Sequence, residues 1–129
     1  MNARSTALIA SGDPGWETRC AEHFLGSGID VHTAARGRTA IDLLHKHTYE
    51  YIVVDDSLED MSVLELSLYV PELATNQPVL MVACPDEALF KNAWDRCHAH
   101  TAGTRSRILE ALTEYLGKVG NKVDVGRES

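Results

Sequence analysis

Two unbroken apolar runs constrain this chain more than any other feature. They are "YIVVD", Tyr51 to Asp55, and "PVLMVAC", Pro78 to Cys84. A strand with one wet face alternates apolar and polar residues. A short run without alternation, rich in β-branched residues, is a strand covered on both faces. Helices that cross over between parallel strands provide that cover. The two runs therefore predict an α/β domain with a parallel sheet at its centre.

The remaining sequence supplies matching units. "TALIAS", Thr6 to Ser11, is a third strand candidate. Asp13 then serves as a helix N-cap and Pro14 as a first helical residue, since proline lacks the N–H that this position leaves unpaired anyway. The helix extends from about Trp16 to Leu25 and stops at "GSG". "IDVHTA", Ile29 to Ala34, alternates, as a strand at a sheet edge does. "RTAIDLLHKH" predicts a second helix, and "SVLELSLYV" a third that stops near Pro71. "DEALFKNAWDRC" predicts a fourth. "AHTAG", Ala99 to Gly103, is a short fifth strand, and "SRILEALTEYL" a fifth helix ended by Gly117. Residues 1–117 thus form one domain. Residues 118–129 show no periodicity and are expected to be a flexible tail or the start of a linker.

Charge and composition narrow the function. A net charge of −7 over 129 residues argues against direct nucleic-acid binding, which needs a basic patch. No apolar run reaches membrane-spanning length. Three cysteines, Cys20, Cys84 and Cys97, lack the spacing of a disulfide framework, and reduced thiols in a cytoplasmic protein are the expectation. "CHAH", Cys97 to His100, offers metal-ligating side chains, but no second cluster completes a structural zinc spacing. The segment reads instead as a polar junction between helix four and strand five. Phe90 and Trp94, four residues apart, serve as core anchors or reach the surface.

With the units in place, three segments in order carry a family resemblance: "ALIASGDP", "YIVVDDSLEDMSVLEL" and "PVLMVAC". Together they resemble the receiver domain of two-component response regulators. The resemblance implies a flavodoxin-like (βα)5 fold, a doubly wound parallel sheet of strand order 2-1-3-4-5. It also implies a phosphoacceptor aspartate at the end of strand three, which falls on Asp55. The family's metal-holding acidic pair falls on Ser11 and Gly12, its hydroxyl residue on Ala83, its lysine on Arg105 and its aromatic switch residue on Ala102. Where the family has glycine after strand three, this chain has Val63.

These departures have chemical consequences. Phosphoryl transfer to a carboxylate brings anions together, and a divalent cation offsets the repulsion. Mg²⁺ is held by carboxylate oxygens, and neither Ser11 nor Gly12 supplies one. Asp13 is a weak substitute ligand or simply the N-cap, and Asp56 a weak substitute or a solvated loop residue. Asp55 is either a phosphoacceptor with a non-standard metal site or a vestigial carboxylate that hydrogen-bonds to backbone or to Arg105. The expectation is a pseudo-receiver, a non-enzymatic protein-interaction module needing no cofactor, with Mg²⁺ only under the active-receiver alternative. Reintroducing acids by Ser11→Asp with Gly12→Asp is expected to raise metal affinity. The partner implied is a signalling protein, such as a histidine kinase or an output domain, or a second copy. The contact face expected is the fourth helix, fifth strand and fifth helix, with Trp94, Arg96, Arg107 and Tyr115 on it.

Overall fold

The computed structural model describes residues 5–73, 78–83 and 99–128, with no side-chain detail for residues 71, 99–102 and 118–128. Its elements are β1 (Thr6–Ala10), α1 (Pro14–Gly26), β2 (Asp30–Ala34), α2 (Gly37–Lys46), β3 (Tyr51–Asp55), α3 (Val63–Leu73), β4 (Val79–Ala83), β5 (Ala99–Gly103) and α4 (Arg105–Glu128). The five strands form one parallel sheet of order β2-β1-β3-β4-β5. The flavodoxin-like order expected from the sequence is the observed one. The fourth predicted helix, with Phe90, Trp94, Arg96 and Cys97, lies outside the described residues, as do Cys84 and His98.

Strand alternation sorts the core into two layers. Leu8, Ile52, Val54 and Leu80 point to one face, where α2 and α3 bring Leu44, Leu66 and Val70. Ile9, Val53 and Met81 point to the other, where α1 contributes Phe24 and α4 contributes Ile108 and Leu112. This is why β3 and β4 carry unbroken apolar runs, since both of their faces are dry. β2 has only one residue, Ala34, fully buried, as suits an edge.

Local signals explain most boundaries. Asp13 caps α1, accepting from the Gly15 and Trp16 amides, with Pro14 in the first turn. The helix ends where Gly28 adopts a φ of +77°, a left-handed conformation that glycine takes without strain. α3 carries Pro71 in its last turn and ends at Leu73, two residues beyond the expected stop. One boundary corrects the sequence reading. α4 does not stop at Gly117 but continues to Glu128, so residues 118–128 are helical rather than irregular. A glycine in a helix costs about 1 kcal/mol relative to alanine, which weakens a helix without ending it, and no proline follows Gly117.

The register aligns the carboxyl ends of the strands. Asp55 lies beside Ala83, and Ala83 beside Gly103. Ser11 follows β1 directly and donates its amide to Ala34 O at 2.9 Å. The carboxyl edge of such a sheet is where α/β folds place ligand chemistry.

Candidate functional site

Asp55 closes β3 and is fully buried, 0% exposed. A buried carboxylate is costly unless its oxygens are hydrogen-bonded and its charge is matched. Here both conditions hold. Ser11 Oγ donates to Oδ2 at 2.8 Å, and Ser57 Oγ donates to the same oxygen at 2.8 Å. Arg105 closes the site from the other side, with Nε donating to Oδ1 at 3.1 Å and Nη2 to Oδ2 at 2.9 Å. This two-pronged contact matches the flat guanidinium to the flat carboxylate.

Asp13, Trp16 and the Gly12 and Asp13 amides tie the same groups together. Arg105 Nη1 donates to Asp13 Oδ2 at 2.7 Å, so one guanidinium bridges two carboxylates. Asp13 keeps its other oxygen for the amides of α1. Trp16 Nε1 donates to Arg105 O at 3.4 Å, and the guanidinium carbon lies 5.8 Å from the centre of the indole. The Gly12 amide donates to Ser57 Oγ at 2.8 Å, and the Asp13 amide to Ser11 Oγ at 3.0 Å. Each serine hydroxyl therefore accepts from backbone and donates to Asp55.

The electrostatics follow from these contacts. Burial alone pushes the Asp55 carboxyl up. The hydrogen bonds from Arg105, Ser11 and Ser57 outweigh burial and hold it below the usual carboxylate range. Arg105 is held above its ordinary value, first by its hydrogen bond to Asp55. Asp56 is exposed, yet loss of solvent around its carboxyl, then the neighbouring Asp55, push it up. Beneath the site, burial and then the Asp55 charge push the Cys20 thiol up to about 12, so it is an inert core residue.

The residues that the resemblance assigns to a divalent cation do not fit one. Ser11 presents a hydroxyl already spent on Asp55, and Gly12 presents no side chain. The positive charge beside Asp55 is the Arg105 guanidinium. Reintroducing acids is also blocked, which corrects the expectation for Gly12→Asp. A Cβ on Gly12 would run into the Ser57 carbonyl oxygen, a clash with backbone. Among the described residues, no three His, Cys, Asp or Glu side chains gather in a metal-binding group.

The structure brings Ser11, Asp13, Asp55 and Arg105 together. Ala83 lines up beside Asp55 without a polar group to offer. Asp56 is exposed and shares a side-chain hydrogen bond with Asp55. Arg107 is exposed and pairs with Glu110 at 3.6 Å. Tyr115 is 36% exposed and packs edge-on against Tyr51. Sequence reasoning missed Ser57. The signal was a hydroxyl residue two positions after Asp55, opposite a glycine with room for it. It also missed Asp60, whose carboxylate accepts from the Gly37 and Arg38 amides at 2.8 and 3.0 Å. Asp60 thereby caps α2, whose own N-cap residue, Arg36, has no capping side chain.

No family model matches the sequence, and no curated protein matches it. The fold has many counterparts among solved structures. A CheY-like response regulator receiver domain protein from Methanospirillum hungatei JF-1 is 17% identical, with a TM-score of 0.68 over 93% of this chain and 98% of that one. Response regulator TrrA from Thermotoga maritima, in complex with Mg²⁺ and BeF, is 17% identical, with a TM-score of 0.70 over 88% and 97%. A Burkholderia pseudomallei response regulator with a phosphorylated aspartic acid and a calcium ion is 19% identical, with a TM-score of 0.65 over 95% and 74%. At these identities the likeness is one of fold, and the fold is that of receiver domains.

Proposed function

We propose that this chain is a pseudo-receiver, a receiver-fold module of signal transduction that contacts a protein partner without control by aspartyl phosphorylation. The observation that carries the reading is the state of Asp55. Its carboxylate is fully buried, and both oxygens accept hydrogen bonds from Ser11, Ser57 and Arg105. A phosphoacceptor must present an oxygen lone pair in line with the donor, with a cation to offset the charge. Here both oxygens already accept hydrogen bonds, three of them at Oδ2, and the offsetting charge is an arginine held against both oxygens.

In this reading the module has no catalytic activity and no cofactor. Its partner is a signalling protein, such as a histidine kinase or an output domain, or a second copy of the chain. Tyr115 and Arg107 of α4 support a contact face there. Trp94 and Arg96, the other half of the expected face, lie outside the described residues. The cytoplasm is the expected compartment.

The test is a titration of the ¹⁵N-labelled chain with Mg²⁺ and beryllofluoride, followed by amide NMR, beside incubation with acetyl phosphate and intact-mass measurement. The expected result is no shift around Asp55, Ser57 and Ala83, and no added phosphoryl mass. A saturable shift at these amides that vanishes in Asp55→Asn would overturn the reading. It would make the chain an active receiver, like its Burkholderia pseudomallei structural counterpart with a phosphorylated aspartic acid.

A further inference from the structure

Far from Asp55, at the β2 edge, two histidines from separate elements converge on one tyrosine. His32 lies mid-strand in β2, and His47 follows the last residue of α2. Their ring centres are 4.9 Å apart, with the planes at 72°. His32 Nδ1 lies 2.7 Å from the Tyr49 hydroxyl. Tyr49 is 1% exposed and packed into the α2 and α3 side of the core, so it is a fixed post. His47 is exposed, so the pair is open to solvent.

We propose that His32 and His47 form a two-histidine site for a late transition ion such as Zn²⁺, Ni²⁺ or Cu²⁺. The spacing is the first argument. A nitrogen-bound ion sits about 2.0–2.1 Å from each ring nitrogen, which puts each ring centre roughly 3.2 Å from it. Two such rings have centres roughly 4.5 Å apart at a right angle and roughly 5.2 Å at a tetrahedral angle. The observed 4.9 Å falls between these limits. The second argument is the Tyr49 contact. A metal-bound imidazole donates its other N–H to a fixed acceptor. In the tautomer whose Nδ1–H donates to Tyr49 Oη, His32 Nε2 keeps its lone pair for the ion. Imidazole nitrogens select late transition ions over Mg²⁺. The other coordination positions are open to water or to a donor from a partner. The inference is independent of the pseudo-receiver reading.

The test is Zn²⁺ titration of the full chain at neutral pH, followed by the histidine ring ¹H–¹⁵N correlations, with Mg²⁺ as the control. Both rings are expected to shift on one binding curve, with Nε2 of His32 as the metallated nitrogen and no response to Mg²⁺. His47→Gln, at an exposed position, should weaken binding by more than roughly tenfold, and Tyr49→Phe by roughly tenfold through loss of the positioning contact. Zn²⁺ binding that persists in His47→Gln but disappears in Cys97→Ser with His98→Gln would place the ion elsewhere and overturn the proposal. Rings that do not respond to Zn²⁺ would reduce the pair to edge-on packing, and would also overturn it.

Discussion

Replacing Arg105 by alanine should be among the most damaging single changes at the carboxyl edge of the sheet. The variant leaves Asp55 buried with two serine donors and no countercharge. Removing one partner of a fully buried ion pair costs about 3–5 kcal/mol, whereas exposed pairs contribute about 0–1 kcal/mol. This pair lies between those limits, with Asp55 at 0% and the Arg105 side chain at 38% exposure. A loss of about 2–3 kcal/mol is expected at pH 7. The pH dependence gives a sharper signature. In the wild type the carboxyl is held below its unfolded value, so this stability is present above the usual carboxylate range and is lost on acidification. Without Arg105, burial is less opposed and the carboxyl moves up. The variant then gives up its unpaired charge by protonation as pH falls. The gap between the two proteins is therefore widest near neutrality and narrows toward pH 4. Urea unfolding of both proteins at pH 7, 5.5 and 4 measures it. A gap below about 0.5 kcal/mol, or one that does not change with pH, would refute the account of Arg105 as the countercharge.

Other outcomes follow from the same geometry. Arg105→Met combined with Asp55→Asn should recover most of the loss, because the buried charge is removed with its partner; a double variant no more stable than Arg105→Met alone would contradict this. Asp13→Ala should cost about 1 kcal/mol as a lost N-cap, readable as an earlier urea midpoint, with Asp13→Asn much milder because its side-chain oxygen still accepts from the Gly15 and Trp16 amides. Ser11→Asp with Gly12→Asp should lower the melting temperature and create no Mg²⁺ site, since the added Cβ meets the Ser57 carbonyl; a micromolar Mg²⁺ affinity in calorimetry would show that the loop yields. Cys20, buried with its thiol raised to about 12, should resist iodoacetamide in the native protein at pH 8 and react after unfolding, as peptide mass spectrometry would show.

The sheet was legible because burial on both faces leaves a direct mark on sequence. Tyr51–Asp55 and Val79–Ala83 occupy two of the three inner positions of the sheet, as their unbroken apolar runs demanded. The α1 cap was equally legible, because Asp13 and Pro14 act on their immediate neighbours. The site was legible only where one element sufficed. The contact between Arg105 and Asp55 stood as one of two alternatives, since fifty residues separate the partners and only the β5 ending decides it. Ser57 was missed because its role depends on Gly12 across the sheet edge: a serine in a loop has no distinctive spacing until the opposing strand end is known. The continuation of α4 was missed because Gly117 was given the force of a stop. Glycine supplies such a stop when the chain must turn left-handed, as at Gly28, and costs only a modest free energy when it need not.

The chemistry of the Asp55 site also bears on what such a module can signal. A switch needs two states whose balance a ligand can move, and a ligand moves it only by its difference in affinity for the two. In a receiver that binds metal and phosphate, the carboxylate waits for partners that come and go. Here Arg105 is part of the chain and is bound at the same time to Asp55, Asp13 and the face of Trp16. Opening the site would break two hydrogen bonds to a buried charge before any incoming anion made a compensating contact. The same contacts join β1, β3, α1 and α4 at one point, so the Asp55 cluster acts as a strut that fixes α1 against α4. A partner reading the outer side of these helices would meet one shape. Under the proposed pseudo-receiver reading, signalling would then depend on whether partner and module are both present, rather than on the chemical state of Asp55.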